Sequence, residues 1–281
     1  MKHLIGIIGG SGLNALEGLH VGEAREVETR WGAPSAVLRF GSFAGADVVF
    51  LARHGEPHAI PPHRINYRAN IQAFKDIGVK AVFAGAAVGG LAGFAGPGRL
   101  VVPDQIIDYT WGRASTFHDD RADDAEGGGI GVTHVDFAHP YDPNLRRQIL
   151  KAGQGCGVAL HDGGCYGTTQ GPRLETAAEV RRMQRDGCDL VGMTGMPEAA
   201  LAREAGLKYV SVNVVTNWGA GLGVGGGEAI TLDAIERVLQ EGMADVRKVL
   251  ATWLGKAADG RTEKLATASV GWDDAQRNPG M

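Results

Sequence analysis

KYVSVNVVTNWGAG, residues 208–221, decides how the rest of the chain is read. Four valines and a tyrosine fill its first eight residues around Lys208, Ser211 and Asn213, a β-branched run that fits a strand buried on both faces better than one with a wet side. Such a strand requires layers above and below it. The run then stops at an asparagine, a tryptophan and glycines, where a strand in a layered α/β fold delivers its functional groups. Residues 3–8 (HLIGII), 47–52 (DVVFLA), 79–84 (VKAVFA) and 188–192 (CDLVG) have the same character and are read as further strands.

Helices with legible ends lie between these runs. In residues 64–77, Ile65, Ala69, Ala73 and Ile77 make an i, i+4 ladder that Gly78 can close. Asp142 followed by Pro143 starts a second helix, expected to end at Gly153. Thr176 with Glu179 forms a capping box for a third, which stops at Gly187. A fourth begins near Pro197, with Thr194 as its default cap. The last spans residues 231–254, with Ile235, Leu239, Val246, Val249, Leu250 and Trp253 as its inner face. Strands alternating with helices predict a single α/β domain over residues 1–255, with a central mixed, largely parallel sheet flanked by helices. The polar residues 256–281 are expected to be a disordered or loosely docked tail, and the acidic, glycine-rich residues 117–131 a mobile loop.

Composition narrows the functions. The chain has 281 residues, 28 basic against 32 acidic, and 44% hydrophobic content. That balance draws it neither to nucleic acid nor to an anionic membrane, so any bound anion must be held locally. The three cysteines are too few and too irregular for a disulfide framework, and are expected to be small buried hydrophobes in a reducing, cytoplasmic setting. The apolar start is broken by Gly6 and Gly9 and is too short for a signal sequence.

Four features carry chemistry. GIIGGSG, residues 6–12, follows the first strand with glycines and Ser11 disposed to face an anion, but matches neither a dinucleotide fingerprint nor a P-loop. LARHGEPHAIPPHRINYRAN, residues 51–70, delivers Arg53, a planar fork of donors, and His54, an imidazole that can add another. The spacing of His54 and His58 resembles zinc enzymes, but Pro57, Pro61 and Pro62 forbid the helix such a site needs, so no metal is expected. GAAVGGLAG, residues 85–93, can bring the main-chain N–H groups of Ala86 and Ala87 to the same anion. Finally, residues 168–179 and 191–202 supply Glu175, Met193 and Thr194. Charge at a helix start, core filling and helix capping are their alternative roles.

GIIGGSGL, RHG with NYRAN, QGPRLET, GMTGMPEAALA and VVTN, in this order, resemble the trimeric purine nucleoside phosphorylase and methylthioadenosine phosphorylase family over residues 4–254. The resemblance implies cleavage of a purine N-glycosidic bond by inorganic phosphate, a homotrimer, and no metal or organic cofactor. Position by position, it implies a phosphate site at Ser11, Arg53, His54, Ala86, Ala87 and Thr194, a sugar and base platform at Met193, and a base loop at Asn217, Trp218 and Gly219. Glu175 reaches the base, Leu232 lines the 5' end, and His134 is lent to a neighbouring subunit's sugar pocket.

The sequence departs from the family's aminopurine members, which resemble one another in carrying aspartates in the base loop. A carboxylate only accepts, whereas Asn217 both donates to a 6-oxo group and accepts from N7–H, and Glu175 accepts from N1–H. The expected substrate is therefore a 6-oxopurine nucleoside. RHGEPH and INYRAN resemble the methylthio branch, which makes S-methyl-5'-thioinosine the first expectation and inosine, guanosine or methylthioadenosine the alternatives. A nucleoside hydrolase, a non-catalytic purine sensor and a nicotinamide-dependent oxidoreductase are the competing classes.

Overall fold

A computed structural model describes residues 4–13, 16–119, 134–223 and 232–258. The chain runs β1 (Ile5–Gly9), β2 (His20–Arg25), β3 (Leu38–Phe43), β4 (Ala46–Ala52), α1 (Tyr67–Asp76), β5 (Ala81–Gly90), β6 (Leu100–Val102), β7 (Gln105–Asp108), α2 (Pro143–Cys156) and β8 (Leu160–Asp162). It continues through β9 (Cys165–Thr168), α3 (Ala177–Arg185), β10 (Leu190–Gly192), α4 (Gly195–Glu204), β11 (Lys208–Trp218) and α5 (Leu232–Ala258). The strands form one mixed sheet, parallel at its centre, where β1 lies between β4 and β5 and β11 runs along the other edge of β5. It is antiparallel where β3 joins β2 and β4.

The run that opened the reading is central. Val210, Val212 and Val214 of β11 are fully buried in a cluster with Leu145 and Ile149 of α2 and Leu239, Met243, Val246, Val249, Leu250 and Trp253 of α5. Tyr209 joins the opposite layer, with Ile71 and Phe74 of α1 and Ala199 and Leu201 of α4. Helices thus cover both faces, as a strand with apolar residues on each side requires.

Helix ends follow their local chemistry with some adjustments. Asn66 accepts from the Ala69 N–H, so α1 starts at Tyr67, and Gly78 follows it with φ 83°. The capping box of Thr176 and Glu179 is complete in both directions. α2 passes the expected stop at Gly153 and ends at Gly157, which takes the left-handed conformation (φ 73°). Gly153 instead gives Leu160 room to pack, since a Cβ there would lie 2.7 Å from its Cδ1. Thr194 stands at the N-terminal cap position of α4, but its side chain makes no capping bond.

Several short or exposed strands leave no clear periodicity in the sequence. All six residues of β2 are exposed. β3 and β4 meet at Ala44 and Gly45, both with positive φ (49° and 80°), the conformation of a tight hairpin turn. Residues 259–281 of the expected tail and residues 120–131 of the expected acidic loop lie outside the described residues.

The topology leaves one break, and it becomes the site. β5 is ten residues long. On one edge its pairing with β1 ends at Ala84, and its antiparallel pairing with β10 occupies Gly89 and Gly90. Among the described residues, therefore, 85–88 have no strand neighbour on that edge. β1 and β10 approach β5 in opposite senses, so their carboxyl ends converge on this gap from two directions.

Candidate active site

A cleft with about 200 Å³ of interior space opens at that break. Ser11 enters from the β1 exit, Arg53 and His54 from the β4 exit, and Ala86 and Ala87 from the free edge of β5. Met193 and Thr194 enter from the β10 exit, Glu175 from the turn before α3, and Asn217 and Gly219 from the end of β11. Ten of the residues singled out from the sequence thus share one cavity. Trp218 is absent from its lining, and its ring packs beside Gly96. His134 is exposed and does not line the cleft. The side chain of Leu232 lies outside the described residues. Ile235, expected on the inner face of α5, turns into the cleft instead, one helical turn beyond Leu232.

Arg53 is fastened more firmly than a free anion receptor would be. It is 1% exposed. Its Nε and Nη2 donate to the two carboxylate oxygens of Glu198 at 2.7 and 2.8 Å, and Nη1 donates to the Gly85 carbonyl at 2.9 Å. Burial disfavours the guanidinium charge, but the adjacent Glu198 carboxylate more than offsets this, and the pKa is raised. Glu198 is fully buried and also accepts from the Tyr209 hydroxyl at 2.7 Å. Two of Arg53's five N–H groups remain for the cleft. Gly10 allows this approach, because a Cβ there would sit 2.6 Å from Nη1 and 2.8 Å from the Gly85 oxygen.

His54 plays a different part from the second donor expected of it. Its Nδ1 lies 2.9 Å from the Ile60 carbonyl, an acceptor only, so this nitrogen carries the proton. Burial first, and the Arg53 charge second, lower its pKa to about 4. The ring is neutral at pH 7, and its other nitrogen presents a lone pair. His58 stacks on it at 4.3 Å, so the two imidazoles lie face to face instead of converging on an ion. Among the described residues, no group of three or more His, Cys, Asp or Glu is placed to hold a metal.

This sets a pH dependence. Below pH 6.5 the unfolded chain binds a proton at His54 that the native site refuses. The stabilisation is complete above that pH and is lost as pH falls toward 4, amounting to about 3 kcal/mol over the full range. Urea unfolding should show wild type losing that much more stability than His54→Gln between pH 7 and 4. Parallel pH profiles would refute this role.

Asn217, Glu175, Met193 and Gly219 line the same cleft. A bulge shifts the register of β11 on β5 between Val215 and Asn217. The extra residue lets both Thr216 and Asn217 line the cleft, a common use of bulges beside active sites. Thr216 Oγ1 donates to Asn217 Oδ1 at 2.8 Å, and Asn217 Nδ2 donates to the Trp218 carbonyl at 2.8 Å. One N–H and one lone pair of the amide remain. Glu175 Oε1 accepts from the Thr169 hydroxyl at 2.6 Å, leaving Oε2 for a ligand. Gly219 has apolar neighbours, and a Cβ there would lie 2.6 Å from Leu91 and 3.4 Å from Val180.

Sequence reasoning missed Glu198, Tyr209, Thr216 and Arg113. Glu198 stands inside GMPEAALA, where a carboxylate in an apolar helix signals a buried partner. Arg113, on the segment between β7 and α2, carries no such signal. The cysteines are free, with Cys188 buried and Cys156 and Cys165 half-buried. No helix among the described residues is long and apolar enough to cross a membrane.

Comparison with known proteins gives four matches. The model of the phosphorylase superfamily matches residues 4–254. A "Probable S-methyl-5'-thioinosine phosphorylase" of Xanthomonas campestris pv. campestris is 55% identical over 219 residues, which are 78% of this chain and 85% of that protein. A "Probable 6-oxopurine nucleoside phosphorylase" of Thermococcus kodakarensis is 44% identical over 218 residues, 78% of this chain and 80% of that protein. Among solved structures, methylthioadenosine phosphorylase from Schistosoma mansoni in complex with adenine superposes with a TM-score of 0.83 at 32% identity, covering 92% of this chain and 96% of that one.

Proposed function

This chain belongs to the phosphorylase superfamily, and from that premise we propose that it splits a 6-oxopurine nucleoside with inorganic phosphate, S-methyl-5'-thioinosine being its preferred substrate. The observation that carries the proposal is the pairing of Asn217 with Glu175 in one cleft with the anion-facing Ser11, Arg53, Ala86, Ala87 and Thr194. A 6-oxopurine has an acceptor at O6 and donors at N1 and at protonated N7. The free N–H and lone pair of Asn217 and the free oxygen of Glu175 match that pattern. Adenine offers an amino group where Asn217 also donates and a bare N1 where Glu175 also accepts. The relatives named for thioinosine and 6-oxopurine substrates support the same preference.

In this reading phosphate lies in the cradle and attacks C1' as the glycosidic bond breaks. The sugar gains positive charge, which the phosphate stabilises, and the purine leaves with developing negative charge, which the amide N–H receives at O6. Glu175 is set at N1–H, since a carboxylate aimed at any other edge of the departing anion would oppose the reaction. The base takes one proton from solvent at N7 as its bond to C1' breaks, and the products are hypoxanthine and 5-methylthioribose 1-phosphate, with no covalent enzyme intermediate and no metal or organic cofactor. Ile235, Leu174 and Pro62 supply apolar lining suited to a methylthio group over a hydroxyl. The functional unit is a homotrimer in the cytoplasm, to which each subunit lends His134 across the interface.

The test is a comparison of kcat/KM for methylthioinosine, methylthioadenosine, inosine, guanosine and adenosine at saturating phosphate, repeated without phosphate. Methylthioinosine should lead, and no hypoxanthine should appear when phosphate is withheld. Faster cleavage of the adenine nucleosides, turnover in water alone, or binding without turnover would each reject the proposal.

A further inference from the structure

We infer that Arg113 is a positioning residue that sets the width of the nucleobase end of the cleft by tying together the two segments that wall it. Its guanidinium faces six oxygens. Nη1 donates to the carbonyls of Met193 at 2.9 Å and Met196 at 2.6 Å and reaches the Tyr67 hydroxyl at 3.3 Å. Nη2 donates to the carbonyls of Thr169 at 3.2 Å and Gln170 at 2.8 Å, and Nε donates to Gln170 Oε1 at 3.1 Å. With five N–H groups and six acceptors, nothing is left over for a ligand. The residue therefore acts through what it holds.

What it holds are the two exits that carry the base-facing groups. Thr169 and Gln170 lead into the turn bearing Glu175, and the Thr169 hydroxyl is the group that orients Glu175. Met193 and Met196 flank Thr194 at the start of α4. The segments are already in tight contact, since a Cβ on Gly171 would come within 2.5 Å of the Met193 sulfur. Gln170 Oε1 also accepts from the Trp111 N–H at 3.2 Å, which joins the segment leading to Arg113 to the same turn. Without the guanidinium, four carbonyls on two segments lose their common donor, and the distance between Glu175 and Met193 is no longer set. Of the phosphate cradle, Ser11, Arg53, Ala86 and Ala87 receive no bond from Arg113, and only Thr194 lies on a segment that it holds.

This inference rests on the function proposed above, and its test separates the two. Arg113→Met and Arg113→Lys are made in the full chain, checked for folding by circular dichroism, and assayed with methylthioinosine and with phosphate varied in turn. Binding of free hypoxanthine is measured by calorimetry, which needs no turnover. Loss of the bonds that tie the two segments predicts that Arg113→Met raises the nucleoside KM and the hypoxanthine Kd roughly 10–100-fold while the phosphate KM, touched only through Thr194, rises about tenfold less. Lysine can reach at most three of the six oxygens, so Arg113→Lys should fall between methionine and wild type. If Arg113→Met does not fold, the lysine variant carries the same split. Nucleoside and phosphate KM rising together, or neither rising, would overturn the role of Arg113 and leave the proposed reaction standing. A wild-type protein that neither binds hypoxanthine nor releases it from nucleosides would overturn both.

Discussion

Replacing Glu198 with alanine should destabilise the fold by about 3–5 kcal/mol, the usual consequence of stranding a buried charge. Glu198 is fully buried, and its carboxylate receives two bonds from Arg53 and one from Tyr209. Its removal leaves the guanidinium with the Gly85 carbonyl as its remaining protein partner. A double change, Arg53→Ala with Glu198→Ala, should be less harmful than Glu198→Ala alone, because no unpaired charge is left behind. Tyr209→Phe removes one bond to a charged group and should cost about 1.5–3 kcal/mol. The measurement is urea unfolding at pH 7. A Glu198→Ala midpoint equal to that of wild type would show that the ion pair does not matter to the fold.

The same variant bears on phosphate. Arg53 offers the cleft only what the ion pair leaves free, and the pair also fixes the direction of those two N–H groups. A guanidinium freed from Glu198 becomes mobile, and the phosphate KM of any folded Glu198 variant should rise at least about tenfold with a much smaller change in nucleoside KM. Phosphate saturation like that of wild type would separate Glu198 from the cradle.

Asn217→Asp should shift the ratio of kcat/KM between 6-oxopurine and 6-aminopurine nucleosides toward adenine by roughly 5–150-fold, equivalent to about 1–3 kcal/mol. The carboxylate keeps the acceptor facing Thr216 but loses the donor. It also sets an oxygen against the Trp218 carbonyl, where Asn217 donates at 2.8 Å. That repulsion lowers turnover of both substrate classes, which is why the ratio, not either rate, is the quantity to read. Gly219 limits the change, because Leu91 and Val180 occupy the space a second carboxylate would need. A ratio unmoved by the substitution would remove Asn217 from base recognition.

Much of the layout was legible in the chain itself. The β-branched run ending at Trp218, the glycine-rich exits after β1 and within β5, and the capping box at Thr176 each report a local preference. Local preference survives folding where burial and hydrogen bonding agree with it. Boundaries were less secure where a distant residue intervened, as when Leu160 packs onto Gly153 and α2 runs on to Cys156. The short strands β6 to β9 were not legible because three or four residues carry too little periodicity to distinguish strand from loop.

By itself, then, the sequence determined the alternating α/β layers, the strand exits at which ligand-facing groups appear, and the choice of amide and carboxylate suited to an oxopurine. The tertiary structure decided how those groups are held. It set the break in the β5 edge between β1 and β10, and the bulge that turns both Thr216 and Asn217 into the cleft. It joined Arg53 to a carboxylate 145 positions away, and it gathered the carbonyls of residues 169, 170, 193 and 196 around Arg113. The physical reason is one of range. Periodicity and capping act over a few residues, whereas buried charges and main-chain oxygens must find partners wherever the packed chain brings them.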